Sequence, residues 1–357
     1  MQINYRNLQL ARESRGLTQQ ELSNAISGLN QGNLSKMEKG LSPIPEAVLE
    51  SIARTLDYPL SFFEKESQPR ELTTAFYRKY TSTPQKQLNV LECRTDIIRR
   101  ALDELTDAID IPTFDIPQIA LGDGLTPTEI AKRIRVFCGI PKGPVDEIVK
   151  LMESHGIVVI FLKDCPEKFS GVSMFTGKRF PIMFINDAHS NDRKRFTIAH
   201  ELGHIVMHLN DKTVYQKEMK DLDKEADLFS SEFCMPEDDC LLDLMQLKYN
   251  NLPVLKMYWK ISKAAIVYKA KSLHQITESQ YKYLMVQLSK SGQRKSEYEQ
   301  VSIDSPIIMN TIYDLYRNEL HYSEEEFSSL VGLYPKDVNS WLLYRPRPKV
   351  TFKIVRN

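Results

Sequence analysis

The chain is poor in cysteine, has no excess of either charge and carries no long apolar run, and each shortage narrows what it is. Five cysteines in 357 residues (Cys93, Cys138, Cys165, Cys234, Cys240) are scattered, odd in number and form no C-x-x-C pair. That pattern reads as reduced thiols in a cytosolic protein and not as a disulfide framework. Lys plus Arg and Asp plus Glu stand at 47 each, so the overall charge advertises no nucleic-acid partner and any DNA binding has to come from a local surface. The longest apolar run, Gly156 to Leu162, is far too short to cross a bilayer, and the opening residues lack the apolar stretch of a signal peptide. A cytoplasmic location without a membrane partner is the expectation. No internal repeat appears at a fixed period.

What is present is ordinary globular material, 42% hydrophobic and 26% charged, long enough for two or three domains. Short helices fill the first sixty-odd residues. Leu8 and Ala11 start one apolar stripe, Leu22, Ala25 and Ile26 a second, and Val48, Leu49, Ile52, Ala53 and Leu56 a third. Thr18 with Glu21 three residues on predicts a capping box. Residues 67–87 turn polar, with Pro69 and Pro84, and read as a linker. Helical spacing resumes over Leu88–Ile109, and again over Thr126–Phe137 and Pro144–His155. Strand signals follow at Gly156–Leu162, Gly171–Phe175 and Pro181–Ile185. The pattern returns to helix over Asn191–Leu209 and stays mostly helical beyond Pro236. The expected fold is mainly α with a small β-sheet (α+β), in domains 1–66, 88–273 and 274–357.

The chemistry is concentrated in Arg195 to His208, which contains H-E-x-x-H. On a helix, residues four apart share a face, so His200 and His204 aim at one metal ion while Glu201 comes up beside it as a general base. Gly203 costs roughly 1 kcal/mol against alanine inside a helix, which points to a close approach by a strand or substrate. A catalytic zinc takes three protein ligands, and the downstream candidates are Glu218, Asp221, Asp223, Glu225, Asp227 and Glu232. Glu225 shares a face with Phe229 and points inward, whereas Asp227 and Glu232 fall nearer the polar face. His208 lies about 12 Å along the helix from His200, too far for all three histidines of one straight helix to hold one ion.

Phe196 to His208, followed by Glu225 to Phe229 and Phe233 to Pro236, resembles the ImmA/IrrE family of metallopeptidases. The resemblance implies a zincin-like domain, zinc held by His200, His204 and Glu225, and Glu201 as catalytic residue, in the manner of a gluzincin. Manganese or iron are alternative metals for such a site. Pro181 to Asn186 looks like the family's edge strand, against which a substrate adds itself, and Asp227 stands where the family often has asparagine.

Gly16 to Gly40 is similar to the helix-turn-helix of Cro/phage-repressor-type (XRE) regulators, within a five-helix domain running from Leu8 to Phe63. The resemblance implies that Gln31, Asn33 and Ser35 face base edges, with Lys36 and Lys39 near phosphates and Gln19 at the backbone. Acidic residues slightly outnumber basic ones before Gln68, so phosphate-driven affinity is modest unless clustering of Lys36 and Lys39, dimerisation or the basic linker makes up the difference, and a five-helix protein-interaction domain is the alternative. The implied function is a DNA-binding regulator that cleaves a partner repressor or antitoxin to switch genes of a mobile element, stress response or defence system. Its partners are an operator duplex, that protein substrate or a cognate toxin, and a second copy of the chain. The rival reading is a repressor or antitoxin whose metal domain is a sensor or structural module, and a third is self-cleavage near Ser67–Gln87. Ser323–Trp341 reads as a second helix-turn-helix-like unit or, preferably, as plain helical packing. Tyr215 and the basic residues Arg345 to Arg356 complete the candidates.

Overall fold

A computed structural model describes residues 3–66, 84–121, 124–209, 217–294 and 296–345. Tyr215, residues 67–83 of the expected linker and most of the C-terminal basic cluster lie outside them. Among the described residues the protein is mainly helical, with one three-stranded sheet, and no helix is long and apolar enough to cross a membrane.

Side-chain caps open α1 (Tyr5–Ser14), α2 (Gln19–Asn24) and α3 (Gln31–Glu38), whereas α4 (Glu46–Leu56) and α5 (Leu60–Glu64) start directly after Pro45 and Pro59. The expected box is formed. Glu21 N donates to Thr18 Oγ1 at 3.1 Å, and Thr18 N donates to Glu21 Oε2 at 2.6 Å. Asn30 caps α3 by accepting from Asn33 N, and the stripes close on a core of Leu8, Leu22, Leu34, Leu49, Ile52 and Phe63.

Helix α6 (Gln85–Leu105) opens inside the stretch read as linker. It packs against α1 on one side and, on the other, against α16 (Glu324–Val331) near the end of the chain. Charged contacts reinforce this docking. Arg15 pairs with Asp337 at 2.6 Å and stacks on the rings of Tyr58 and Trp341. Lys65 holds Glu104 at 2.6 Å and donates to the Leu330 carbonyl. The apolar faces of α16 and of the wide turn Val338–Leu342 are used for packing, through Phe327, Val331 and Val338.

After α7 (Pro127–Phe137), α8 covers only Ile148–Ser154 and not the expected Pro144–His155. The preceding backbone is held elsewhere: Gly143 O accepts from Arg135 and Gly143 N donates to Asp239. Strands β1 (Val158–Leu162), β2 (Gly171–Phe175) and β3 (Pro181–Asn186) are ordered β1-β3-β2, parallel for β1 with β3 and antiparallel for β2 with β3. This corrects one expectation: Pro181–Asn186 is the central strand, and the edge strand beside the site is β2. Side chains alternate across the sheet. Val158, Ile160, Ile182 and Phe184 enter a core shared with α1–α6 and the C-terminal helices. Val159, Phe161, Met183 and Ile185 face a second core, built with α7, α8 and the helices between Asn191 and Lys290.

Candidate metal centre

Helix α9 (Asn191–Met207) carries the H-E-x-x-H residues, and α10 (Met219–Cys234) lies along it. Gly203 permits this: a Cβ there would sit 3.1 Å from Phe229 Cδ1 and 3.3 Å from Ala226 Cα. The close approach read into this glycine is therefore made by a helix, not by a strand or substrate. Gly171 does the same for the sheet, since its Cβ would meet Thr197 Cγ2 at 2.7 Å. With β2 pressed onto α9, Ser173 Oγ donates to Glu201 Oε2 at 2.8 Å, a partnership no sequence spacing announced.

His200, Glu201 and His204 are nearly inaccessible, at 7%, 4% and 2% exposure. The imidazoles turn their Nε2 atoms to one another at 3.1 Å, and Asp223 Oδ1 lies 3.9 Å from the first and 3.7 Å from the second. A triangle with those sides has its centre about 2.1 Å from each corner, within the roughly 2.0–2.2 Å range of zinc bonds to nitrogen and oxygen. His200 Nδ1 donates to Asp227 Oδ1 at 2.8 Å, which leaves Nε2 as the lone-pair side of the ring. The donor set thus fits a small divalent cation. Among the described residues, His200, His204 and Asp223 are the one group of three such side chains whose ligand atoms lie within 4.8 Å. They line a cleft of about 140 Å3 together with Ser170, Arg193 and Phe196.

Glu225, expected as third ligand, is engaged elsewhere. Its Oε2 is 3.0 Å from His208 Nε2 and its Oε1 accepts from Lys217 Nζ at 2.8 Å. The reason is helical phase: Asp223 and Asp227 are four apart and share the face toward the histidines, while Glu225 is turned about 200° from Asp223. His208 itself sits 2.9 Å, Nδ1 to Nδ1, from His204. Burial, then the neighbouring His204, pushes its pKa down from 6.5 to about 3, against the raising effect of Glu225. Glu232, read as solvated, is fully buried, accepting from Lys269 Nζ at 2.7 Å and from Glu237 N. Burial lifts the Cys234 thiol to about 11 and those of Cys165 and Cys240 to about 12.

At the other end of the molecule, Gln31, Asn33, Lys36 and Lys39 are exposed on α3, with Ser35 half-buried. Gln19 is tied into this face, accepting from Gln31 Nε2 at 2.8 Å and donating to Glu38 Oε2 at 2.6 Å. Buried Arg12 fixes Glu38 from behind at 2.6 Å.

Two family models match the chain. Residues 8–63 match the helix-turn-helix family and residues 152–271 match the peptidase family described as the IrrE N-terminal-like domain. The protein is therefore a fusion of an XRE-type DNA-binding domain with a metallopeptidase-like domain. No curated protein matches it.

Proposed function

From a helix-turn-helix and an IrrE-like domain on one chain, we propose a DNA-binding transcriptional regulator whose second domain is a zinc-dependent endopeptidase. The observation that carries this reading is the convergence of His200, His204 and Asp223 beside Glu201. Asp223, in place of Glu225, is the third metal ligand, and manganese or iron are the alternative occupants. When bound, the ion supplies Lewis acidity, polarising a scissile carbonyl and bringing the pKa of a water toward about 7. Glu201 would take a proton from the attacking water and pass it to the leaving amine, while the Ser173 hydroxyl holds the carboxylate in place. Substrate main chain adds along the outer side of β2, whose inner side is committed to β3. Gln31, Asn33 and Ser35 read base edges, Lys36 and Lys39 meet phosphates, and Gln19 anchors the motif at the backbone. A repressor- or antitoxin-like protein is the expected substrate.

The test is cleavage of such a candidate partner in vitro. Glu201→Gln should slow cutting by about 10²–10⁴-fold with metal still bound; equal rates would refute the mechanism. One observation favours the rival reading of a non-catalytic metal module. The cleft of about 140 Å3 is smaller than the roughly 300–1,000 Å3 of typical ligand sites, so a peptide has to open it. Repression that persists in Glu201→Gln, with no cut partner in wild type, would establish that rival. A shortened chain in wild type but not in Glu201→Gln would instead reveal cutting within residues 67–87.

A further inference from the structure

His200 and His204 are each gripped from behind through Nδ1, but by different chemistry. For His200 the grip is a carboxylate, Asp227 at 2.8 Å. For His204 it is a second imidazole, His208, with the two Nδ1 atoms 2.9 Å apart. Two ring nitrogens at that distance share one proton, and the protein has to decide which of them owns it. The decision is made one step further back. His208 Nε2 lies 3.0 Å from Glu225 Oε2, and the other oxygen of Glu225 accepts from Lys217 Nζ at 2.8 Å. A carboxylate that accepts from an ammonium at one oxygen accepts at the other as well, so His208 carries its hydrogen on Nε2. The Nδ1 of that neutral ring is a lone pair, and the shared proton belongs to His204 Nδ1. His204 Nε2 is then bare, and it is this atom that faces His200 Nε2 and Asp223.

We propose that Glu225 and His208 are positioning residues that set the tautomer of His204 and so make it a metal ligand. The proposal rests on the metal reading given above, but not on turnover. It gives Glu225, which shares no ligand cluster with the two histidines, a task behind the metal. It also accounts for the burial of His208, whose side chain is wholly inaccessible at the end of α9.

Two readouts on the full-length protein test it. The first is the tautomer of His204 in metal-free, histidine-15N-labelled wild type, read from two-bond proton–nitrogen couplings. A proton on Nδ1 with a bare Nε2 is expected; a proton on Nε2 would overturn the proposal. The second is zinc affinity by competition with a chromophoric chelator. His208→Phe keeps the ring volume without an acceptor and should weaken zinc about 10–100-fold, the range seen when a metal-bound histidine loses its orienting partner. Glu225→Ala should weaken it less. His208→Gln restores a carbonyl that accepts from His204 and should recover most of the loss, which a merely space-filling role for His208 would not produce. Wild-type affinity in folded His208→Phe would refute the relay. Should His208→Phe fail to fold, Glu225→Ala and the wild-type spectrum decide. Zinc bound with this pattern but no partner cut would sink the peptidase and leave the relay standing. A wild type that takes up no zinc would sink both.

Discussion

Helices α3 and α9 bear the two motifs of this protein and are built in opposite ways. On α3 the informative side chains, Gln31, Asn33, Lys36 and Lys39, stand in solvent over an apolar base of Leu34 and Met37. On α9 they are interior, and almost every side chain from Arg195 to Met207 is buried, polar or not. An exposed polar residue needs only water, but a buried one has to be met by a partner, because an unmet group costs about 1–3 kcal/mol. Around α9 those partners arrive from far along the chain: Ser173 for Glu201, Asp227 for His200, and Lys269 for Glu232 on the adjoining α10. The face on α3 can therefore change its residues without touching the fold, whereas the neighbourhood of α9 cannot.

Substitutions beside α9 should be the expensive ones, and the largest loss is expected from Lys269→Ala. It leaves fully buried Glu232 with only the more distant Lys132 ammonium, 3.9 Å away, and denaturant unfolding should report about 3–5 kcal/mol. A cost under 1 kcal/mol would mean that burial on α10 is less demanding than the comparison requires. Next comes Gly203→Val, which drives a branched side chain into Phe229 and Ala226. It should cost about 1–3 kcal/mol and reduce metal uptake as α10 moves off α9.

A milder effect is expected from Glu153 at the end of α8, whose carboxyl burial pushes up from 4.5 to about 7, against hydrogen bonds from Ile307 N and Ile308 N. A raised carboxyl binds its proton more tightly folded than unfolded. The stability it contributes is thus complete below pH 4.5 and is lost as the pH climbs to about 7. Glu153→Gln should flatten that part of the stability profile, and an unchanged slope would assign the dependence to other groups. The smallest change belongs to α3. Lys36→Ala should alter stability by less than about 0.5 kcal/mol. It should still lower the salt dependence of binding to duplex DNA by about one counterion in the log–log slope. A large stability loss there would erase the contrast between the two helices.

The same contrast explains what could be read from the sequence. Features set by a few adjacent residues were legible: the Thr18–Glu21 box, the limits of β2, and the pairing of His200 with His204 on one helix face. Features set by the phase or order of distant elements were not. Placing Asp223, and not Glu225, beside the two histidines requires knowing how α10 is rotated against α9. Placing β3 at the centre of the sheet requires knowing that β1 crosses over to pair with it. The burial of Glu232 is not legible locally, because its partner Lys269 lies 37 residues further along, beyond two intervening α-helices. Helical spacing carries α8 back to Pro144 because nothing local shows that Gly143 is bound to Arg135 and Asp239.

The docking of the first domain has a consequence for chain connectivity. Residues 84–105 and the C-terminal helices share one apolar core with α1–α5, clasped by Arg15–Asp337 and Lys65–Glu104. A nick anywhere between residues 67 and 83 would therefore yield two fragments that travel together as one particle. Severing the backbone there is not enough to discharge the DNA-binding domain. Release has to come from parting that shared apolar core and the ion pairs across it, Lys86–Glu21 and Lys336–Asp57 among them, and not from cutting the covalent tether.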